Sequence, residues 1–163
     1  MDRTILVRMG ETVVVRDDNN GIIKLKTILG SCVGIILVDP HRKIAGLSHI
    51  MLPEKTEKDP IITKYADTAI PDLIEKLSKK GALKKNLRAY IVGGACMFNN
   101  ANQQTTLNIG EKNYKKVVEV ISEFNIPVVL EQTGGNRGRT IIYNLRDDTI
   151  EVKTLQINTG VKR

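Results

Sequence analysis

The chain has 163 residues, 41% of them hydrophobic and 26% charged, with 25 Lys+Arg against 18 Asp+Glu for a net charge of +7. This is enough apolar material for one globular core, while two cysteines and two histidines are too few for a disulfide scaffold or, without carboxylate help, a tetrahedral zinc site. The apolar runs 33–38 and 91–98 fall well short of the roughly 18 residues of a membrane span. The alternating start MDRTILVRMGETVVVRDD lacks the apolar stretch of a signal peptide. A cytoplasmic protein with reduced thiols and no membrane insertion is expected. The basic balance allows an acidic partner, but 4% aromatics and no Trp argue against a base-stacking nucleic-acid surface.

No internal repeat, low-complexity tract or linker divides the sequence, so residues 1–163 are read as a single domain. Residues 4–8 and 12–16 are short β-branched runs separated by Gly10. Asp17, Asp18, Asn19, Asn20 and Gly21 form a turn cluster ahead of a strand over 22–29. Two further strands, 33–38 and 43–51, are joined across Asp39, Pro40, His41 and Arg42, with Asp and Pro where a type I turn prefers them. Residues 53–60 form a polar loop bounded by prolines. A helix over about 63–80 then carries Ala66, Ala69, Ile70, Leu73, Ile74 and Leu77 on one face. The cations Lys79, Lys80, Lys84, Lys85 and Arg88 around Gly81 suit a solvated helix C-terminus, or else a docking surface for an acidic protein. A strand over 87–92 runs into Gly93 and Gly94. Asn108 with Glu111 three residues later resembles a capping box, opening a second helix that carries Val117, Val118, Ile121 and Phe124. Strands over 126–132, 140–145 and 149–154 close the chain, with Gly134-Gly135-Asn136 read as a hairpin turn and Asp147-Asp148 as another. The fold class is α+β: a layered domain with mostly antiparallel strands and two main helices.

A nucleophile needs a base within reach and donors for the developing oxyanion, and only Cys32 offers these from local sequence. If Val38 pairs with Lys43 across the turn, the same register sets Cys32 directly opposite His49, close enough for thiol and imidazole to meet. A bulge or a one-residue slip would separate them. Gly30 and Ser31 leave the backbone before Cys32 free of bulk and suited to an oxyanion hole. His49 shares its strand face with Leu47 and Met51 and so points inward, which favours either a neutral base or an ion pair with the thiolate. Cys96 has no histidine at a predictable distance and reads as a small apolar residue, and His41, in the turn, reads as solvated. Thr27 and Thr63 are both open as the group that orients the imidazole. The run from Gly134 to Arg139 lacks nucleotide-loop spacing; Arg137 and Arg139 are either anion contacts or exposed.

The residues LGSCVGIILVDP (29–40) and GLSHIMLPE (46–54), followed in order by KYADTAI (64–70), VGGACMF (92–98), NIGEKN (108–113) and TGGNRGR (133–139), resemble the CheD family of chemoreceptor glutamine deamidases. The resemblance implies a layered α/β sandwich related to the catalytic domain of Rho-deamidating toxins. It implies that Cys32 and His49 convert glutamine side chains of receptor signalling domains to glutamate without a cofactor, in chemotactic adaptation. The family pattern also has a threonine often six residues before the cysteine; Lys26 stands there, and the role falls to Thr27, one residue later. Some members bind CheC, a phosphatase of the phosphorylated response regulator. The expected activity is therefore a protein-glutamine amidohydrolase, with hydrolysis of glutamyl methyl esters chemically open. The rival reading is a non-catalytic adaptor that stimulates a CheC-type phosphatase.

Overall fold

Residues 33–39 and 44–50 are apolar on both faces, and a strand of that kind needs cover on both sides. The computed structural model, which describes residues 1–97 and 108–156, supplies it. The strands β4 (Val33–Asp39) and β5 (Ile44–Ile50) are buried at every position. They form the centre of a five-stranded sheet with β2 (Thr12–Arg16), β6 (Arg88–Gly93) and β7 (Val128–Thr133), in the order β2-β5-β4-β6-β7. One face of this sheet carries Val33, Ile35, Leu37, Ile44 and Ile50 against the helices α1 (Ala66–Lys80) and α2 (Ile109–Glu123), which supply Ile70, Leu73, Leu77, Val117 and Ile121. The other face carries Ile36, Val38, Ala45 and Leu47 against a second sheet of β1 (Arg3–Leu6), β3 (Ile23–Leu29), β8 (Arg139–Asn144) and β9 (Thr149–Thr154). The architecture is thus three layers, helices on a mixed sheet on a second mixed sheet. Among the strand pairs of the described residues, β1/β3 and β6/β7 are parallel and the others antiparallel.

Several expected elements sit where periodicity places them. Asn108 caps α2 by accepting from the Glu111 N–H at 3.1 Å, the first half of a capping box, and the Glu111 carboxylate accepts at 3.3 Å from Asn108 Nδ2 in place of the backbone N–H. Helix α1 starts later than the expected residue 63, because residues 64 and 65 are tied into extended backbone: Lys64 O accepts from Met51 and Leu52, and Leu52 bridges Tyr65. Lys80, Lys84 and Lys85 are exposed around Gly81 at the end of α1. Phe98, last residue of one quoted block, lies outside the described residues.

Two expectations are corrected. The β4/β5 register is shifted by two: Val38 pairs with Ala45 rather than Lys43, and the four-residue turn lies one residue further along the chain. Asp39 pairs with Ile44, leaving Pro40 to Lys43 in the loop, with Lys43 at φ +57°. The cause is Asp39, fully buried, whose carboxylate accepts from the N–H groups of His41, Arg42 and Leu83 and from Asn86 Nδ2. These bonds outweigh the effect of burial and hold its pKa below the ordinary value. Residues 134–138 are not a hairpin, because β7 and β8 belong to different sheets. The segment crosses between the layers, tied down by Gly134 N to Gly93 O, Cys96 N to Gly135 O and Arg139 Nη1 to Gly93 O. Among the described residues, no helix is long and apolar enough to cross a membrane.

Candidate active site

The two-residue shift in register pairs His49 with Gly34 rather than Cys32. Since side chains alternate with period two, a shift of two leaves every residue on its face. His49 stays on the inter-sheet side with Leu47, and Cys32, just ahead of β4, packs against that same cluster. Cys32 is therefore the diagonal rather than the direct neighbour of His49, with Cβ atoms somewhat under about 7–8 Å apart, and Gly34 puts no side chain between them.

The second sheet supplies the orienting group. Thr27 stands on β3 between Leu25 and Leu29, facing β5 across the layer, and is 1% exposed. Its hydroxyl lies 2.8 Å from His49 Nδ1 and donates to the Val7 carbonyl at 2.5 Å. A hydroxyl has one proton to give. With that proton spent on Val7, Thr27 Oγ1 accepts from Nδ1–H, which leaves Nε2 of the neutral ring as the lone-pair atom. His49 is 2% exposed, and Nε2 has no hydrogen-bond partner among the described residues. Burial lowers its pKa, against the opposing influence of the Val7 carbonyl and the charge of Glu11. Burial also pushes the Cys32 thiol up. Burial thus disfavours the charged form of each group taken singly.

The backbone around Cys32 is held by its carbonyls. Gly30 O accepts from Ala95 N at 3.0 Å, Cys32 O from Gly94 N at 2.8 Å, and Ser31 O from Asn113 Nδ2 at 3.0 Å. The approach of β6 demands a glycine: Gly93 has φ +110°, and a Cβ there would lie 2.4 Å from Cys32 O. Ser31 and Cys32 open onto a cavity of about 460 Å³ whose wall is mostly apolar: Met9, Met51, Leu52, Ala95, Met97 and the first residues of α2. Gly30 sits behind Met97 rather than in that wall.

The remaining candidates lie elsewhere. Thr63 is in the loop ahead of α1, while His49 Nδ1 is engaged by Thr27. Cys96 lines a separate cavity with Asn108, Glu111 and Tyr114. His41 is exposed in the β4/β5 turn, a whole strand away from Cys32 or about 20 Å. One residue was not singled out from sequence: Asn113, wholly buried on α2, which donates to both Ser31 O and Met51 O at 3.0 Å. The signal was its position, since Asn113, Val117, Val120 and Ile121 share the buried face and a polar residue on such a stripe needs a reason. Its Oδ1 is buried without a partner among the described residues, a cost of about 1–3 kcal/mol where none is met.

Comparison with known proteins shows a family for the chain. A family model described as CheD chemotactic sensory transduction matches residues 51–154, a range that begins just past His49. A protein named probable chemoreceptor glutamine deamidase CheD from Clostridium novyi (strain NT) is 47% identical over 135 residues, 81% of this chain and 83% of that one. Proteins of the same name from the Hall and Okra strains of Clostridium botulinum are 45% identical over 133 residues, 80% of this chain and 82% of theirs.

Proposed function

Since the chain belongs to the CheD family, we propose that it is a protein-glutamine deamidase that converts glutamine side chains of chemoreceptor cytoplasmic domains to glutamate, with Cys32 as nucleophile. The observation that carries the mechanism is the Thr27–His49 hydrogen bond, which leaves Nε2 of a buried neutral imidazole as a free base on the face that Cys32 shares. His49 Nε2 takes the thiol proton as Cys32 Sγ bonds to the side-chain carbonyl carbon of glutamine. The carbonyl π pair moves onto oxygen, toward the N–H groups of the 30–32 loop, where Gly30 and Ser31 let the backbone approach. Collapse of the adduct breaks the C–N bond, and the imidazolium returns its proton to the leaving nitrogen as ammonia departs. Water, deprotonated by the same Nε2, then attacks the thioester, and glutamate leaves as the thiol is restored. Thr27 keeps the ring in the productive tautomer throughout.

The substrate must supply its own binding energy, because a single carboxamide offers little. The apolar wall of the cavity suits the surface of a helix carrying the glutamine, and the charge of +7 favours encounter with an acidic receptor bundle. The reaction is placed in the cytoplasm, where receptor signalling domains lie. A glutamyl methyl ester differs only in its leaving group and is open to the same steps. A CheC-type phosphatase is a further partner implied by the family resemblance. Incubation of wild type and Cys32→Ala with receptor cytoplasmic fragments, read by mass spectrometry for Gln-to-Glu conversion, tests the central claim. Conversion by wild type alone is expected, and conversion that persists in the alanine variant overturns it.

A further inference from the structure

Asn113 belongs to α2, yet both of its hydrogen bonds leave the helix: one goes to Ser31 O, beside the nucleophile, and the other to Met51 O, just beyond the strand that carries His49. Both neighbours are carbonyls, so the donating end of the amide must face them, and its orientation follows from its partners. Helix α2 can deliver the side chain because its first turn is pressed against the loop after β6. A Cβ on Gly110 would lie 2.6 Å from Gly94 O. Three separate donors thus hold the carbonyls of Gly30, Ser31 and Cys32.

A trans peptide plane sets its N–H opposite its C=O. Anchoring Ser31 O from the helix side therefore aims the Cys32 N–H the other way, and Cys32 borders the open cavity. We infer that Asn113 is a positioning residue: it fixes the Ser31–Cys32 peptide so that the Cys32 N–H stands ready as a donor to the oxyanion formed when Sγ adds to the glutamine carbonyl. This rests on Cys32 as the nucleophile. The second bond, to Met51 O, ties that peptide to the end of β5, so donor and base are held in one frame.

The test compares Asn113→Ala and Asn113→Asp with wild type in two reactions. Deamidation of a receptor fragment passes through an oxyanion, whereas alkylation of Cys32 by iodoacetamide displaces iodide without one. Loss of the anchor is expected to lower kcat by roughly 10- to 10³-fold, approaching the effect of deleting an oxyanion donor, with KM within about twofold. The rate of Cys32 alkylation and its pH dependence should be unchanged. A wild-type kcat, or alkylation falling in proportion to deamidation, overturns the inference. Should neither variant fold, isotope-labelled wild type is treated with a receptor peptide carrying an aldehyde in place of the glutamine carboxamide, which forms a hemithioacetal with Cys32. A shift of the Cys32 amide resonance with slowed exchange is expected, and an unmoved amide overturns the inference. Cys32→Ala, run alongside, separates the two claims. If it is inactive while Asn113→Ala works normally, only the role of Asn113 falls; if it remains active, the nucleophile itself is wrong.

Discussion

Replacing Thr27 by Val keeps the shape of the side chain and removes one hydroxyl, so its effect isolates the link between the two sheets at the site. Two buried hydrogen bonds are lost, to Val7 O and from His49 Nδ1. Each stranded group would cost about 1–3 kcal/mol. The Val7 carbonyl also interacts with His49, so the two orphans can partly satisfy one another, and a net loss of about 2 kcal/mol follows. For a chain of this size that lowers Tm by roughly 4–8 °C. The catalytic effect is separate. Without Thr27 the tautomer carrying the proton on Nε2 becomes accessible, and it cannot act as base. Losing 1–2 kcal/mol of bias leaves the two tautomers comparably populated, which lowers kcat by roughly twofold from this cause alone. Removing an acceptor for Nδ1–H further disfavours the imidazolium, so the acid limb of the pH profile should move to lower pH. Steady-state deamidation across pH, with thermal melts of wild type, Thr27→Val and Thr27→Ser, checks each part. Wild-type kcat and an unmoved acid limb in Thr27→Val, or a Thr27→Ser variant as impaired as the valine form, would refute the orienting role.

Three other outcomes are expected. His49 has a folded pKa below its ordinary 6.5, so below pH 6.5 the unfolded chain binds more protons than the folded one. The stability that this group contributes is complete above pH 6.5 and is lost as pH falls toward the folded pKa. Denaturant melts should show that slope vanish in His49→Gln, and activity should keep its plateau below pH 6.5; an acid limb centred above 6.5 would contradict a buried neutral base. Gly93→Ala places a Cβ 2.4 Å from Cys32 O at φ +110°, costing roughly 2–4 kcal/mol and displacing the nucleophile loop. Both Tm and deamidation should drop, and a variant stable and active at wild-type levels would mean the loop is not held there. Tyr143→Phe removes one of two tyrosine hydroxyls that share Asp148 Oδ1, at 2.8 Å beside Tyr90 at 2.7 Å. A loss of about 1 kcal/mol, or roughly 2–4 °C in Tm, is expected with no change in deamidation rate.

Local chemistry made much of this fold legible. The two-sided apolar character of β4 and β5, the stripe of α1 and the Asn108–Glu111 box are short-range signals, and each stands where the pattern puts it. The face shared by Cys32 and His49 was legible too, although the register was not. Asp39, fastened by donors from as far along the chain as Leu83 and Asn86, shifts the register by two residues, and parity survives only because two is the period of a strand. An odd displacement would have parted thiol and imidazole.

What the amino-acid sequence determines by itself is therefore which side chains share a face, since alternation and helical period are properties of the local backbone. Which layer a face meets is decided in the folded chain. That the segment from Gly134 to Gly138 crosses between sheets, that Thr27 rather than Thr63 meets the imidazole, and that Asn113 reaches across from a helix to the peptide before Cys32 all depend on contacts between residues distant in sequence. Hydrogen bonds to backbone carbonyls, such as those of Val7 and Ser31, leave no trace in residue identity, because every residue carries the same carbonyl.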